Sequence, residues 1–121
     1  MTLSPRQEVG RRAEEQAAEY LEGRGLELLH ANHRCRFGEL DLVMRDGAAL
    51  AIVEVRLRQS AQFGGAAASV TAAKQRRIRL ATQHLLLTHR GLRHFPIRFD
   101  VVTIEPTAAG THIEWLRNAF L

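Results

Sequence analysis

Two carboxylates and a guanidinium, Asp41 and then Glu54-Val55-Arg56, are spaced so that a hairpin would bring them together. Leu40, Leu42 and Met44 alternate with Asp41, Val43 and Arg45. After Asp46-Gly47, Leu50, Ile52, Glu54 and Arg56 alternate with Ala51, Val53 and Val55. Asp-Gly between two alternating runs is the strongest short-range hairpin signal. Apolar residues on both faces of both runs point to a sheet covered on two sides. A carboxylate inside such a sheet is costly unless something pairs with it, and a metal ion is the usual partner.

Register decides whether the acids meet. A two-residue loop, Asp46-Gly47, sets Asp41 opposite Ile52 and diagonal to Glu54; a four-residue loop, Asp46 to Ala49, sets Asp41 opposite Glu54. Opposite and diagonal residues share a face with Cα atoms roughly 4.5–8 Å apart, so both loops converge the pair. A three-residue loop would separate them unless a bulge intervened. Arg56 shares the face of Glu54. The set suits a divalent cation held by oxygen ligands with a cationic group beside it. The competing reading is a buried ion pair of Asp41 and Glu54 with Arg56 or Arg34. Glu39 shares the Asp41 face, either as a third carboxylate near the ion or as a strand-opening residue paired with an arginine.

Five further elements must position this hairpin. Ser4, Pro5 and Gln7 give a cap, a first-turn proline and capping-box spacing. Val9, Ala13, Ala17, Tyr20 and Leu21 then form one helical stripe, ended by Gly23-Arg-Gly25. Glu14 falls on the margin of that stripe, free to lean toward the sheet or to stay solvated, while Glu15 falls on the solvent side. A strand over 26–34 precedes the hairpin and completes a three-strand meander. After it, 57–68 reads as a loop in which Phe63 anchors to the core or stacks on a base. Ser69 or Thr71 caps a second helix reaching about His89, with Ile78, Ala81 and Leu85 as its buried stripe and Lys74 one turn earlier. Pro96 precedes a strand over 97–104, and a short strand over 111–116 follows as an edge. Strand, helix, strand implies a right-handed crossover and a mixed sheet. Asp100 reads as structural. The six histidines show no zinc spacing and read as surface or core residues.

The chain has 121 residues, the length of one domain with a real core, and 45% hydrophobic with 25% charged residues is ordinary globular composition. The net charge of +4 favours an anionic partner. Lys74 is the only lysine among 17 basic residues. Four cations crowd Lys74-Gln-Arg-Arg-Ile-Arg79; Arg76 and Arg79 suit phosphate contacts, or form a solvated basic face. A single cysteine, Cys35, excludes an internal disulfide and fits a reducing cytoplasm. No apolar run approaches the ~20 residues of a transmembrane helix, and the N-terminal MTLSPRQEVGRR lacks an apolar signal segment.

The Asp, Glu-x-Arg pattern resembles that of the PD-(D/E)xK nucleases. More closely, the chain resembles the YraN-like uncharacterised family, which is similar to archaeal Holliday junction resolvases. The matching residues are Gly10-x-x-Ala-Glu14-x-x-Ala17-x-x-Tyr20-Leu21, Asn32-x-Arg34, Gly38-Glu-Leu-Asp41-Leu, Val53-Glu54-Val55-Arg56-x-Arg58, Phe63-Gly64, Lys74-Gln75-x-x-Ile78 and Arg98-Phe-Asp100-Val-Val. Two departures stand out: Arg56 occupies the lysine position, and Ala13 replaces a usual glycine.

The resemblance implies an α/β, restriction-endonuclease-like core within a single domain, residues 1–121: a helix, a three-strand antiparallel meander, a crossover helix and a further strand in a mixed sheet flanked by helices. It also implies phosphodiester hydrolysis of DNA, branched or junction forms included, with Asp41 and Glu54, helped by Glu14, holding Mg²⁺ or Mn²⁺. Arg34, Arg58, Lys74, Arg76 and Arg79 would contact the nucleic acid, and similar resolvases imply a homodimer. Arg56 cannot act as a base, since guanidinium keeps its proton with a pKa above ~12, but it can stabilise developing negative charge. Lys74 either stands in for the missing lysine or pairs with a carboxylate. A non-catalytic nucleic-acid-binding module on the same fold is the alternative.

Overall fold

A computed structural model describes residues 2–58 and 70–121. Helix α1 spans Pro5–Glu22 and opens with the capping box: Ser4 Oγ accepts from the Gln7 amide and Gln7 Oε1 accepts from the Ser4 amide. Strands β1 (Glu27–Cys35), β2 (Gly38–Asp46) and β3 (Ala49–Leu57) follow, then α2 (Ala72–Thr88), a 3₁₀ turn (Arg90–Leu92), β4 (Ile97–Thr107) and β5 (Gly110–Phe120). The strands form one sheet in chain order, antiparallel except for the parallel pair β3 and β4, which α2 connects. The expected helix, meander and crossover are all present.

Each helix covers one face. On the α1 side, Ala13, Ala17 and Leu21 pack on Leu42, Met44, Ala51, Val53, Val102 and Ile104. On the α2 side, Ile78, Ala81 and Leu85 pack on Leu40, Val43, Leu50, Ile52 and Val101. Burying each such aliphatic side chain contributes about 1.5–3 kcal/mol, which is why neither helix needs strong intrinsic propensity. Thr71, not Ser69, caps α2 by accepting from the Lys74 amide. Ser69, Phe63 and Gly64 lie outside the described residues.

Two expectations need correction. Val9 is exposed, so the α1 stripe begins at Ala13. The edge strand is longer than 111–116: β5 runs to Phe120, through a break in register near Asn118, whose φ is +51°. Asp100 accounts for that extension. Fully buried, it accepts from the Arg98 guanidinium, the Trp115 indole and the Asn118 amide, so β5 is held against a satisfied internal charge. Asp100 is structural, as read from the sequence.

The β2–β3 turn is the two residues Gly47-Ala48, flanked by the pair Asp46 and Ala49. Gly47 has φ +59°, the first-position requirement of a II′ hairpin. The pairing continues to Leu42 and Val53, so the next rung sets Asp41 opposite Glu54.

Candidate metal centre and nucleic-acid interface

Strict alternation fails at one rung, and that failure builds the site. Leu42 packs toward α1 and Val43 toward α2, yet Leu40 also packs toward α2. The simple alternation of Leu40, Leu42 and Met44 is therefore broken at Asp41. In β1, His30 and His33 both meet rings from the α2 region although they are three residues apart. Between them lies Asn32, with φ +55° in the left-handed region that non-glycine residues seldom adopt, and asparagine tolerates best. The register places Asn32 opposite Asp41. Asn32, Asp41 and Glu54 thus lie in one row across three strands, and the two neighbouring strands change sidedness together. Irregular backbone of this kind re-aims side chains and clusters at functional sites.

Asp41 is the centre of that row. Its Oδ2 accepts from the Val55 amide at 2.9 Å, just beyond the paired stretch of β2 and β3. One ligand oxygen from each of Glu14, Glu39 and Asp41 lies within 4.8 Å of the others. Glu14 reaches in from α1, where its marginal place on the stripe leaves it half-buried. Burial, then the Asp41 charge, pushes the Glu14 carboxyl up to about 7, against a hydrogen bond from the Asn32 side chain. Burial also raises Asp41, opposed by the Val55 amide. Glu39 pairs with Arg34 at 3.2 Å, as the ion-pair reading expects, and also stands in the acidic group.

Glu54 lies on the other flank of Asp41. It is only 4% exposed, and its carboxylate pairs with Lys74 Nζ at 3.2 Å. Burial and the Asp41 charge raise it, while Lys74 and Arg56 oppose the rise. The ammonium beside Glu54 therefore comes from α2, while Arg56 favours the ionised form from along the strand.

A cleft of about 250 Å³ opens beside the acids, lined by Gln7, Arg11, Glu14, Asn32, Arg34 and Glu39 among others. The Arg34 side chain is 76% exposed at this rim. Arg76 is exposed on the first turns of α2. Arg79 is half-buried and donates to the Leu121 carbonyl at 2.7 Å, so it is more restrained than the outward position read for it. Arg58 is half-buried, and its amide donates to the Ile104 carbonyl at 2.8 Å. Arg76 and Arg34 are the two most available cations of the five chosen from sequence. Gln7 reads from sequence only as a capping residue and Arg11 carries no reading there, although Gln7, Arg11 and Glu14 recur at helical spacing along one face of α1. Asn32 stands in the sequence only within the Asn32-x-Arg34 motif. An asparagine inside a strand, where it is disfavoured, was the available signal.

The residues fit a hard divalent cation. Three carboxylates with raised or crowded charge gain most when a positive ion enters, all the donors are oxygen, and the cleft gives access. Asp41 belongs to the Glu14–Glu39 group, and its charge also acts on Glu54, so the acidic cluster turns about Asp41.

A helix laid on an antiparallel meander, with a parallel strand delivered by a crossover helix, defines this chain as a restriction-endonuclease-like α/β core. The profile of the Uncharacterised protein family UPF0102 matches residues 13–104, which include every acid described above. A UPF0102 protein of Alkalilimnicola ehrlichii is 50% identical over 117 residues, covering 97% of this chain and 90% of the relative. A UPF0102 protein of Nitrosomonas europaea is 51% identical over 111 residues, covering 92% of each, and one of Methylococcus capsulatus is 50% identical over 111 residues, covering 92% of this chain and 89% of the relative. The chain belongs to the UPF0102 family, the YraN-like family whose motifs it carries. No helix among the described residues is long and apolar enough to cross a membrane.

Proposed function

We propose that this chain is a metal-dependent nuclease acting on DNA, with branched or junction DNA as the substrate form. The observation that carries the reading is the gathering of Glu14, Glu39 and Asp41 from two elements onto one point beside an open cleft with arginines at its rim. Mg²⁺ or Mn²⁺ held there would polarise a phosphate oxygen and make bound water a better nucleophile. The chain's own groups supply the rest. Asp41 is fixed by the Val55 amide, and Glu14 is oriented by Asn32. Glu54 pairs with the ammonium of Lys74, which on this reading stands in for the lysine of the PD-(D/E)xK pattern and can exchange a proton as Arg56 cannot. Arg56 stabilises negative charge developing on the phosphate. Arg34 and Arg76 hold the backbone of the nucleic acid, with Lys74, Arg58 and Arg79 as further positive charge behind them. Two copies would act together on a branched substrate, as in similar resolvases.

The closing test is a calorimetric Mn²⁺ titration of wild type and Asp41→Ala, followed by cleavage assays on a four-way junction. Metal heat and cleavage lost together in the variant support the reading; metal heat that survives the substitution overturns it. A second reading, a DNA-binding module without catalysis, is favoured by one observation: Glu54 is buried under Lys74 and so is poorly placed to turn toward an ion. It predicts that wild type binds the junction in a salt-dependent way and never cuts it.

A further inference from the structure

Four histidines meet on the α2 side of the sheet, and none of them belongs to the Glu14, Glu39 and Asp41 group. His30 and His33 come from β1, on one side because of the Asn32 step; His84 lies near the end of α2 and His89 caps it. His33 Nε2 and His84 Nδ1 are 3.1 Å apart. Two imidazole nitrogens bound to one tetrahedral ion at ~2.0–2.1 Å are about 3.3 Å apart, so the spacing of the pair already matches, and a modest turn of each ring would aim both lone pairs at one ion. The His89 ring lies 4.4 Å from that of His30 and 6.0 Å from that of His33, centroid to centroid. Its Nδ1 is 3.3 Å from the Leu85 carbonyl and 3.0 Å from Thr88 Oγ1, which fixes the ring.

We infer that His33 and His84 form a two-imidazole clip for a borderline transition-metal ion such as Zn²⁺ or Ni²⁺, distinct from the carboxylate centre and tying β1 to α2. Imidazole selects these ions over Mg²⁺, which keeps to oxygen ligands. In the neutral pair, one facing nitrogen donates a proton to the other. Binding requires the donor ring to carry its proton on its outer nitrogen instead, so both lone pairs face the ion and no proton is lost. Water completes the coordination. An ion held here clamps the strand that carries Asn32 to the helix that carries Lys74, and stabilises the fold by an amount that grows with the logarithm of free ion concentration above its Kd.

The test is a calorimetric Zn²⁺ titration of the full, untagged chain in excess Mg²⁺, with wild type, Asp41→Asn, His33→Gln and His84→Gln. One ion per chain is expected in wild type and in Asp41→Asn, with affinity at least about tenfold weaker in either histidine variant. Zinc heat lost with Asp41→Asn, or retained at full affinity in His84→Gln, overturns the assignment. Should the histidine variants not fold, imidazole ¹⁵N spectra of wild type decide: Zn²⁺ must shift His33 Nε2 and His84 Nδ1, and resonances left unmoved overturn it.

Discussion

The Asp41 carboxylate accepts a hydrogen bond from the Val55 amide at 2.9 Å, so a side chain takes over where the β2–β3 ladder gives way. The bond turns Asp41 into the hinge of the acidic centre: its remaining oxygen capacity faces Glu14 and Glu39, and its charge is felt by Glu54.

Replacing Asp41 by Asn keeps an oxygen for the Val55 amide and deletes the charge that its neighbours resist. The metal-free protein is then expected to unfold at a higher urea concentration than wild type at pH 8, while its Mn²⁺ affinity falls by at least about tenfold. Urea melts and calorimetry on the same preparation check both halves. A lower midpoint would mean that the charge on Asp41 holds the fold together rather than straining it.

The Glu14 carboxyl sits near 7 in the fold, against an ordinary value of 4.5. Between those values the folded chain keeps a proton that the unfolded chain has lost, so stability falls as pH rises through the window and levels above it. Mn²⁺ competes with the same proton, so its affinity is expected to climb between about pH 5.5 and 7.5. Glu14→Gln should flatten the stability profile across this range.

Lys74→Met strips Glu54 of its counter-charge. Breaking a fully buried pair costs roughly 3–5 kcal/mol, but Lys74 is partly exposed and Glu54 can take up a proton, so a loss of about 1–3 kcal/mol is expected at pH 8 and less at pH 5. Arg56→Lys installs the lysine of the PD-(D/E)xK pattern and is expected to raise junction cleavage by about ten- to a hundredfold if water placement limits the rate. Single-turnover assays measure the second effect and urea melts the first.

Arg76→Ala removes an exposed cation. It is expected to weaken junction binding and to reduce the slope of log affinity against log salt by about 1, without shifting the urea midpoint. Fluorescence anisotropy over a salt series gives the slope.

Asp100→Ala leaves the Arg98 guanidinium, the Trp115 indole and the Asn118 amide without their shared acceptor. A loss of roughly 3–5 kcal/mol is expected by urea melt, with Mn²⁺ affinity unchanged at temperatures where the variant is folded.

Much of this arrangement was legible from residue order. Asp-Gly marked the hairpin, although its two-residue turn forms one position later at Gly47-Ala48, in the register that sets Asp41 opposite Glu54; capping residues placed both helices; and Ile78, Ala81 and Leu85 announced the face α2 buries. What escaped has a common physical origin. Asn32 adopts a left-handed backbone that no periodicity encodes, and through it Leu40 and His33 change sides. Glu39 could be read as ligand or as ion-pair partner; it pairs with Arg34 while standing beside Glu14 and Asp41. The histidines are far apart in sequence, and only the docking of α2 on β1 makes them neighbours.

The hold that Asp100 keeps on β5 gives the molecule a built-in gauge. The chain has 1 tryptophan, and its indole donates to that acid at 3.0 Å while the Arg117 guanidinium lies 4.1 Å over its ring. Its emission therefore reports whether the outermost strand is still zipped on. Fraying at that border can be timed separately from events around Asp41 on the opposite half of the sheet, in one cuvette and without any label.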